Sequence, residues 1–388
     1  MLLKNIKPFL LGLTKKSRHE RNPVARYGFI RPNITGRSVG PDTIPPMTIN
    51  WVILPFSKGA GGHTTIFRFV HYLEKEGFDC RIIIVDNESP LSKEKIKTQI
   101  NEWFFPFKGQ VYVGMDAAPP ASVTIATFWS TAYYVRDFQP TLHRIYFVQD
   151  FEPYFYATGS HSAWAEETYR FGFIGITAGT WLREKLAIEY GMKTKEFLFS
   201  FDRDKYFQRT KKPSQVRQVF FYARPSTQRR AFEMGILVLD EVKRRLPDIK
   251  IILAGGKTNK FDIPFEHASM GVVSVDTLSE IYGQCDAALV LSFTNLSLLP
   301  LELMACGIPV VSNRAPCTEW LLNDENACLC PPTVEALADG VCMVLNDQVL
   351  ASRLRDSGLA AAAATDWEEE AQRIGQFLRT IEAEGPTL

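Results

Sequence analysis

From residue 48 onward, short apolar runs alternate with longer segments in which apolar residues recur every three to four positions. TINWVILP (48–55) reads as a buried strand, Gly59, Gly61 and Gly62 as a turn, and 64–76 as a helix with Ile66, Phe69, Val70 and Leu73 on one face. FDCRIIIVD (78–86) supplies the next strand. A strand–helix–strand unit of this kind requires parallel pairing through a right-handed crossover. The same periodicity predicts strands at 110–114, 122–127, 143–148, 173–177 and 196–199, with helices around 92–103, 130–136, 162–170 and 180–190. A polar stretch, FDRDKYFQRTKKPSQ (201–215), interrupts the alternation and is placed as the linker between domains.

The alternation then restarts. Strands are expected at 218–223, 249–256, near 271–275, 286–292 and 308–313. Helices are expected at 230–246, 277–284, 316–323, 333–346 and 350–364, and one more begins near Asp366. The chain of 388 residues is longer than one hydrophobic core usually serves, which agrees with two domains. The expected division is 1–47 as an extension, 48–205 and 206–365 as two doubly wound α/β domains, and 366–388 as a helix that could cross back to the first. Open parallel sheets bind ligands beyond the carboxyl ends of their strands, so two facing sheets place a site between them.

Composition narrows the picture modestly. Lys plus Arg total 44 against 43 Asp plus Glu, so no global charge argues for a nucleic-acid partner. Seven cysteines, an odd number without a recognisable secretory leader, favour reduced thiols and a cytoplasmic chain. Cys328 and Cys330 form a C-x-C without a second pair or a nearby His, a poor zinc signal. The segment 1–21 sets Leu2, Leu3, Ile6, Phe9, Leu10 and Leu13 at helical spacing before Lys15, Lys16, Arg18 and Arg21. That pattern suits peripheral contact with the inner face of a membrane, or equally a disordered or core-packed extension.

The stretch SFTNLSLLPLELMACGIPVVSN (292–313) carries one acid, Glu302, inside an apolar helix. Burying an unpartnered carboxylate costs several kcal/mol or more, so Glu302 is expected to face a cleft. The loop from Asn295 to Leu299, including Ser297 and Leu298, runs into that helix and offers free backbone N–H groups to a phosphate.

Motifs in this half resemble those of the GT-B glycosyltransferases, in particular the nucleotide-sugar enzymes of the large retaining class. The residues that carry the resemblance are Ala223-Arg224, Arg229 five residues on, Ile281-Tyr282-Gly283-Gln284-Cys285-Asp286, Ser292, Glu302 and Cys306-Gly307-Ile308-Pro309-Val310. The first half is similar to the bacterial rhamnosyltransferases typified by WsaF, in Gly61-Gly62-His63, Thr127-Phe128-Trp129, Gln149-Asp150-Phe151-Glu152 and Phe221-Tyr222-Ala223-Arg224.

The resemblance implies two Rossmann-like domains, a metal-independent transfer, no cofactor, and a nucleotide-sugar donor. On that reading Arg224 and Arg229 hold the diphosphate and Glu302 takes the ribose hydroxyls. Gly255 and Gly256 admit the base, while Thr294, Ser297, Leu298 and Leu299 complete the donor site. The alternatives are a solvated arginine pair beside Arg230, a helix-start charge at 302 and an ordinary glycine turn.

Two departures from the pattern matter. Thr294 stands eight residues before Glu302, where relatives carry a first glutamate. Gln149 stands where they carry a histidine that touches the sugar's 6-hydroxyl, and its loss fits a 6-deoxysugar such as L-rhamnose from dTDP-rhamnose.

For the acceptor, a saccharide or glycolipid, Gly61, Gly62, Gln149, Trp129 and Tyr154 are the candidates. Asp150, Glu152 and His63 could orient or deprotonate its hydroxyl. Each also has a structural alternative: the two acids as loop caps or partners of Arg136 or Arg144, and His63 as a helix-start residue.

Asp202-Arg203-Asp204 mimics a metal-binding D-x-D but falls in the linker, and Gly59-Ala60-Gly61-Gly62 lacks the dinucleotide spacing, so neither a metal nor NAD is expected. The expectation is a glycosyltransferase of cell-surface polysaccharide assembly. An epimerase or phosphorylase of the same fold, or a non-catalytic saccharide-binding protein, remains as the alternative.

Overall fold

The structure is a computed structural model that describes residues 22–85, 91–210 and 216–385. The segment 1–21, read from sequence as amphipathic, lies outside the described residues. Two parallel sheets form in tandem, as the α/β reading requires. The first has the order β3-β2-β1-β4-β5-β6-β7. Its strands are β1 (Thr48–Ile53), β2 (Asp79–Ile84), β3 (Val111–Val113), β4 (Ala121–Ala126), β5 (Thr141–Val148), β6 (Ile174–Ala178) and β7 (Thr194–Phe197). The second has the order β10-β9-β8-β11-β12-β13, from β8 (Gln218–Tyr222), β9 (Lys250–Ala254), β10 (His267–Gly271), β11 (Ala287–Val290), β12 (Val310–Asn313) and β13 (Ala327–Cys330).

Helices cover both faces. After the short α1 (Pro23–Arg26), the first domain carries α2 (Gly61–Lys75), α3 (Lys93–Trp103), α4 (Trp129–Asp137), α5 (Ser160–Glu167) and α6 (Thr180–Tyr190). The second carries α7 (Phe232–Arg245), α8 (Val275–Tyr282), α9 (Leu299–Ala305), α10 (Pro316–Glu319), α11 (Val334–Asn346) and α12 (Gln348–Ala363). Because helices cover both sides, β1, β4 and β6 are buried along their full length, and this is why they read as unbroken apolar runs.

Three local readings are corrected. The strand expected near 271–275 ends at Gly271, whose positive φ of 64° turns the chain, and Ser274 then caps α8 by accepting from Thr277 N. The helix expected at 316–323 closes after one turn. β13, ACLC, was not expected as a strand at all. It is four residues long and takes its place only by pairing with β12.

The chain passes between domains twice. After β7 it crosses through 200–210, and after α12 it returns into α13 (Trp367–Glu384), which packs on α2 and β7. Glu370 accepts from Leu198 N at 2.9 Å, and Glu382 accepts from Met47 N at 3.1 Å and from the Ser122 hydroxyl. The two crossings are tied to each other: the Thr365 hydroxyl donates to Ser200 Oγ at 2.9 Å, and Arg203 donates to the Ala363 and Thr365 carbonyls. One apolar core runs through this junction, joining Phe199, Phe201, Tyr206 and Trp367 to Tyr282, Leu296 and Leu301.

Candidate functional site

β5 ends at Val148 and hands the chain to Gln149-Asp150-Phe151-Glu152 at the carboxyl edge of the first sheet. Opposite it, the second sheet presents the turn after β8, with Arg224, Arg229 and Arg230, and the loop 291–298 after β11. These two edges meet directly.

Asp150 is the point of contact. Its Oδ1 accepts from Asn295 N at 2.8 Å and from Phe151 N at 2.8 Å. Its Oδ2 accepts from the Thr294 hydroxyl at 3.0 Å and from Arg229 Nε at 3.2 Å. Burial raises its carboxyl above the usual range, and Arg230, Arg229 and the bonds from Asn295 and Thr294 oppose that rise. Asp150 is therefore committed to the second domain rather than open to an acceptor hydroxyl.

Arg229 also lies over the Phe155 ring, 3.9 Å from its centroid. Its neighbour Arg230 turns inward, donating to Ser292 Oγ at 2.5 Å and to the Asn295 carbonyl at 3.0 Å. Burial pushes the Arg230 guanidinium down to about 10, although Asp150 partly offsets the loss of water. Ala231, at φ 48°, takes a left-handed conformation between this pair and α7. For a residue with a Cβ that costs roughly 1–2 kcal/mol. Arg224 lies apart from them, donating to the Tyr222 hydroxyl at 3.1 Å.

Asn295 completes the junction. Its side-chain amide donates to the Gln149 carbonyl at 3.0 Å and the Ala178 carbonyl at 2.8 Å, both in the first domain, and its Oδ1 accepts from Trp320 Nε1 at 2.8 Å. Trp320 in turn rests on Gly179, whose φ is 84° and where a Cβ would stand 2.7 Å from the indole.

The structure does not gather every residue expected at the donor site. Glu302 sits in the first turn of α9 but faces the crossover. The Tyr206 hydroxyl is the neighbour that favours its ionised form, and the charges that act on it are those of Asp202 and Arg68 rather than of the 224–230 turn. Burial, then repulsion from Asp202, pushes its carboxyl up to about 7. Asp202 itself pairs with Arg68 at 2.6 Å. Gly255 and Gly256 are required by their own surroundings: a Cβ would stand 2.4 Å from the Tyr222 ring at the first, whose φ is 106°, and 2.7 Å from the Ala223 carbonyl at the second. Ser297 and Leu299 line a small cavity with Tyr222 and Arg230, while Leu298 is half-buried at the start of α9.

On the acceptor side, Glu152 is 3% exposed and caps α4, accepting from Trp129 N at 2.6 Å and the Tyr146 hydroxyl at 2.8 Å. Burial pushes it up to about 8 against those two hydrogen bonds. It is a buried helix cap rather than an accessible base. His63 is packed against Phe56 and Phe67, and burial lowers its pKa against a hydrogen bond to the Leu54 backbone. Gln149 donates from Nε2 to the Gly62 carbonyl at 3.2 Å, which ties the Gly61-Gly62 turn to the junction. Trp129 is buried with its indole N–H on the Tyr156 hydroxyl at 2.9 Å, whereas Tyr154 is half exposed beside Phe151 and Lys185.

Sequence reasoning passes over Arg230 and Trp320 as site residues, and takes Asn295 only as the start of the loop that offers backbone N–H groups, not as a side chain joining the two domains. The doubled arginine and the amide at the head of the loop before an apolar helix are the available signals. A shallow groove of about 410 Å³ between α7 and α11, lined by Leu237, Glu241, Arg245 and Glu335, includes none of these residues.

Comparison with known proteins now bears on the arrangement. Residues 217–342 match the family described as WsaF, C-terminal domain. Sucrose-phosphate synthase from Thermosynechococcus elongatus superposes with a TM-score of 0.67 over 87% of this chain and 99% of its own, at 14% identity. The chain has the GT-B fold, and its second domain matches the WsaF family. The GT-B architecture is shared with Anabaena Alr3699/HepE, solved with UDP and glucose (TM-score 0.66, 15% identity, 86% of this chain and 100% of that one). It is shared too with WaaG, described as a glycosyltransferase involved in lipopolysaccharide biosynthesis (TM-score 0.61, 11% identity, 85% and 99%). In sequence, the chain is 31% identical over 338 residues to the O-antigen biosynthesis protein RfbC of Myxococcus xanthus. That alignment covers 84% of this chain and 26% of the relative, so the chain spans about a quarter of the relative's length. Among the described residues no helix is long and apolar enough to cross a membrane.

Proposed function

We propose that this GT-B chain is a glycosyltransferase that moves a sugar from a nucleotide donor onto a saccharide or glycolipid hydroxyl during surface-polysaccharide assembly. The observation that carries the reading is the convergence of Arg229 Nε, the Thr294 hydroxyl and the Asn295 N–H on one anionic group where the carboxyl edges of the two sheets meet. Transfer from a nucleotide sugar leaves a diphosphate, and fixed cations and oriented N–H groups neutralise it without reorganising. The likeness to an O-antigen biosynthesis protein and to a structure holding UDP-glucose supports the same reading.

Within it, dTDP-rhamnose is the proposed donor. The support is Gln149, an amide in place of a histidine, beside a WsaF-type second domain. Arg229, Arg230, Thr294 and Asn295 form the proposed diphosphate seat, which Arg224 would join only by leaving the Tyr222 hydroxyl. Glu302 would reach a ribose only by leaving Tyr206. Tyr154 offers an exposed ring for the acceptor, and the proposed transfer uses no metal. A segment-wide membrane contact through 1–21 belongs to the same proposal.

Thermal stabilisation by a panel of dTDP, UDP, GDP and their sugars tests the reading. A selective rise with dTDP and dTDP-rhamnose is expected. A shift with UDP sugars alone would replace the donor, and no shift with any nucleotide would favour the saccharide-binding alternative, which the Thr294 substitution also suits.

A further inference from the structure

Both oxygens of the Asp150 carboxylate are saturated, and three of the four donors come from the other domain. A carboxylate and one edge of a phosphate present much the same thing to such donors: two oxygens on one central atom sharing a negative charge. The hydroxyl, amide and guanidinium that bind Asp150 would serve a phosphate equally well. The surroundings hold more positive charge than Asp150 cancels, since Arg229 and Arg230 both act on this single carboxylate. Its neighbour Glu152 is engaged elsewhere, by Trp129 N and Tyr146.

We infer that Asp150 is a tethered anion that competes with a bound phosphate for the same donors and thereby sets the specificity of the seat: only a group carrying more charge than a carboxylate displaces it. The inference rests on the nucleotide-sugar reading above. A diphosphate, with two or three negative charges, gains more from Arg229 and Arg230 together than Asp150 does. A nucleoside or a neutral sugar gains nothing there. When the diphosphate enters, Asp150 must release Arg229, Thr294 and the Asn295 amide, and the junction is then bridged through the ligand. The Phe151 N–H, which bonds Asp150 Oδ1 from within the first domain, loses its partner in the same step.

The test uses the full chain and two probes, dTDP and inorganic pyrophosphate. Asp150→Asn keeps the shape of the side chain and removes its charge. Both probes are expected to bind this variant about tenfold more tightly than the wild type, with thymidine binding neither. In the wild type, where folding of the variant is not in question, saturating dTDP should increase hydrogen exchange at the Phe151 amide while the Asn295 amide stays protected. Equal or weaker binding of both probes by Asp150→Asn, or unchanged protection at Phe151, would overturn the inference while leaving nucleotide binding intact. Tighter pyrophosphate binding by the variant with no dTDP binding by either form would keep the anion seat and discard the nucleotide.

Discussion

Asn295 Nδ2 donates to the Ala178 carbonyl at 2.8 Å, a hydrogen bond that joins the loop after β11 to the end of β6 in the other domain. The same side chain also holds the Gln149 carbonyl and the Trp320 indole, so one buried and two half-buried groups depend on it. Asn295→Ala strands all three, and an unsatisfied buried polar group costs ~1–3 kcal/mol. The expected outcome is a loss of roughly 2–4 kcal/mol in urea unfolding. A larger radius of gyration by small-angle scattering should accompany it, as the domains part.

Gly179→Ala is expected to weaken the same junction from the opposite side. The residue has a φ of 84°, and its new Cβ would stand 2.7 Å from the Trp320 ring. Left-handed strain and the clash together should cost about 2–4 kcal/mol. Replacing Trp320 by Leu in the Gly179→Ala background should recover part of that loss, and a thermal-unfolding double-mutant cycle reads the coupling.

The buried acids make stability fall as pH rises. Glu152 is raised from 4.5 to about 8 in the folded chain, so protonation favours the fold. Its contribution is fully present below about 4.5 and is lost as pH climbs through about 8. Glu302, raised to about 7, acts in the same direction over a narrower window. A loss on the order of a few kcal/mol between pH 5 and pH 8.5 is expected from urea midpoints. Glu152→Gln, which can still accept from Trp129 N and the Tyr146 hydroxyl, should flatten that curve. An equally steep curve in the variant would remove Glu152 as its cause.

Glu302→Gln separates two roles for that residue. If the acid leaves Tyr206 to bind ribose hydroxyls, dTDP affinity should drop about tenfold while the unfolding midpoint at pH 8 rises, because repulsion from Asp202 is relieved. Unchanged affinity with the same stability gain would make Glu302 a residue of the crossover alone.

The sheets were legible because parallel strands buried on both faces write themselves as apolar runs, as IIIV and RIYFV do. β13 was not, since ACLC has no pattern of its own and becomes a strand through its pairing with β12. In the candidate site, the acids after β5 and the arginines after β8 stood out from sequence. What each one does was hidden, because it depends on partners in the other domain. Asp150 and Glu152 are two residues apart, yet one ties two domains together and the other caps a helix inside one domain. Arg229 and Arg230 are adjacent, yet one reaches Asp150 and the other Ser292. Periodicity carries no information of that kind. Glu302 is expected beside these arginines and instead faces Tyr206 and Asp202, residues of the polar stretch 201–215.

The central claim is that the junction of Arg229, Thr294 and Asn295 is where a nucleotide diphosphate binds. Isothermal titration of dTDP into the wild-type chain and into Arg229→Ala tests it most directly. The expected result is saturable binding by the wild type and an affinity at least about tenfold lower in Arg229→Ala. Absence of binding by the wild type, or undiminished affinity in Arg229→Ala, would contradict it.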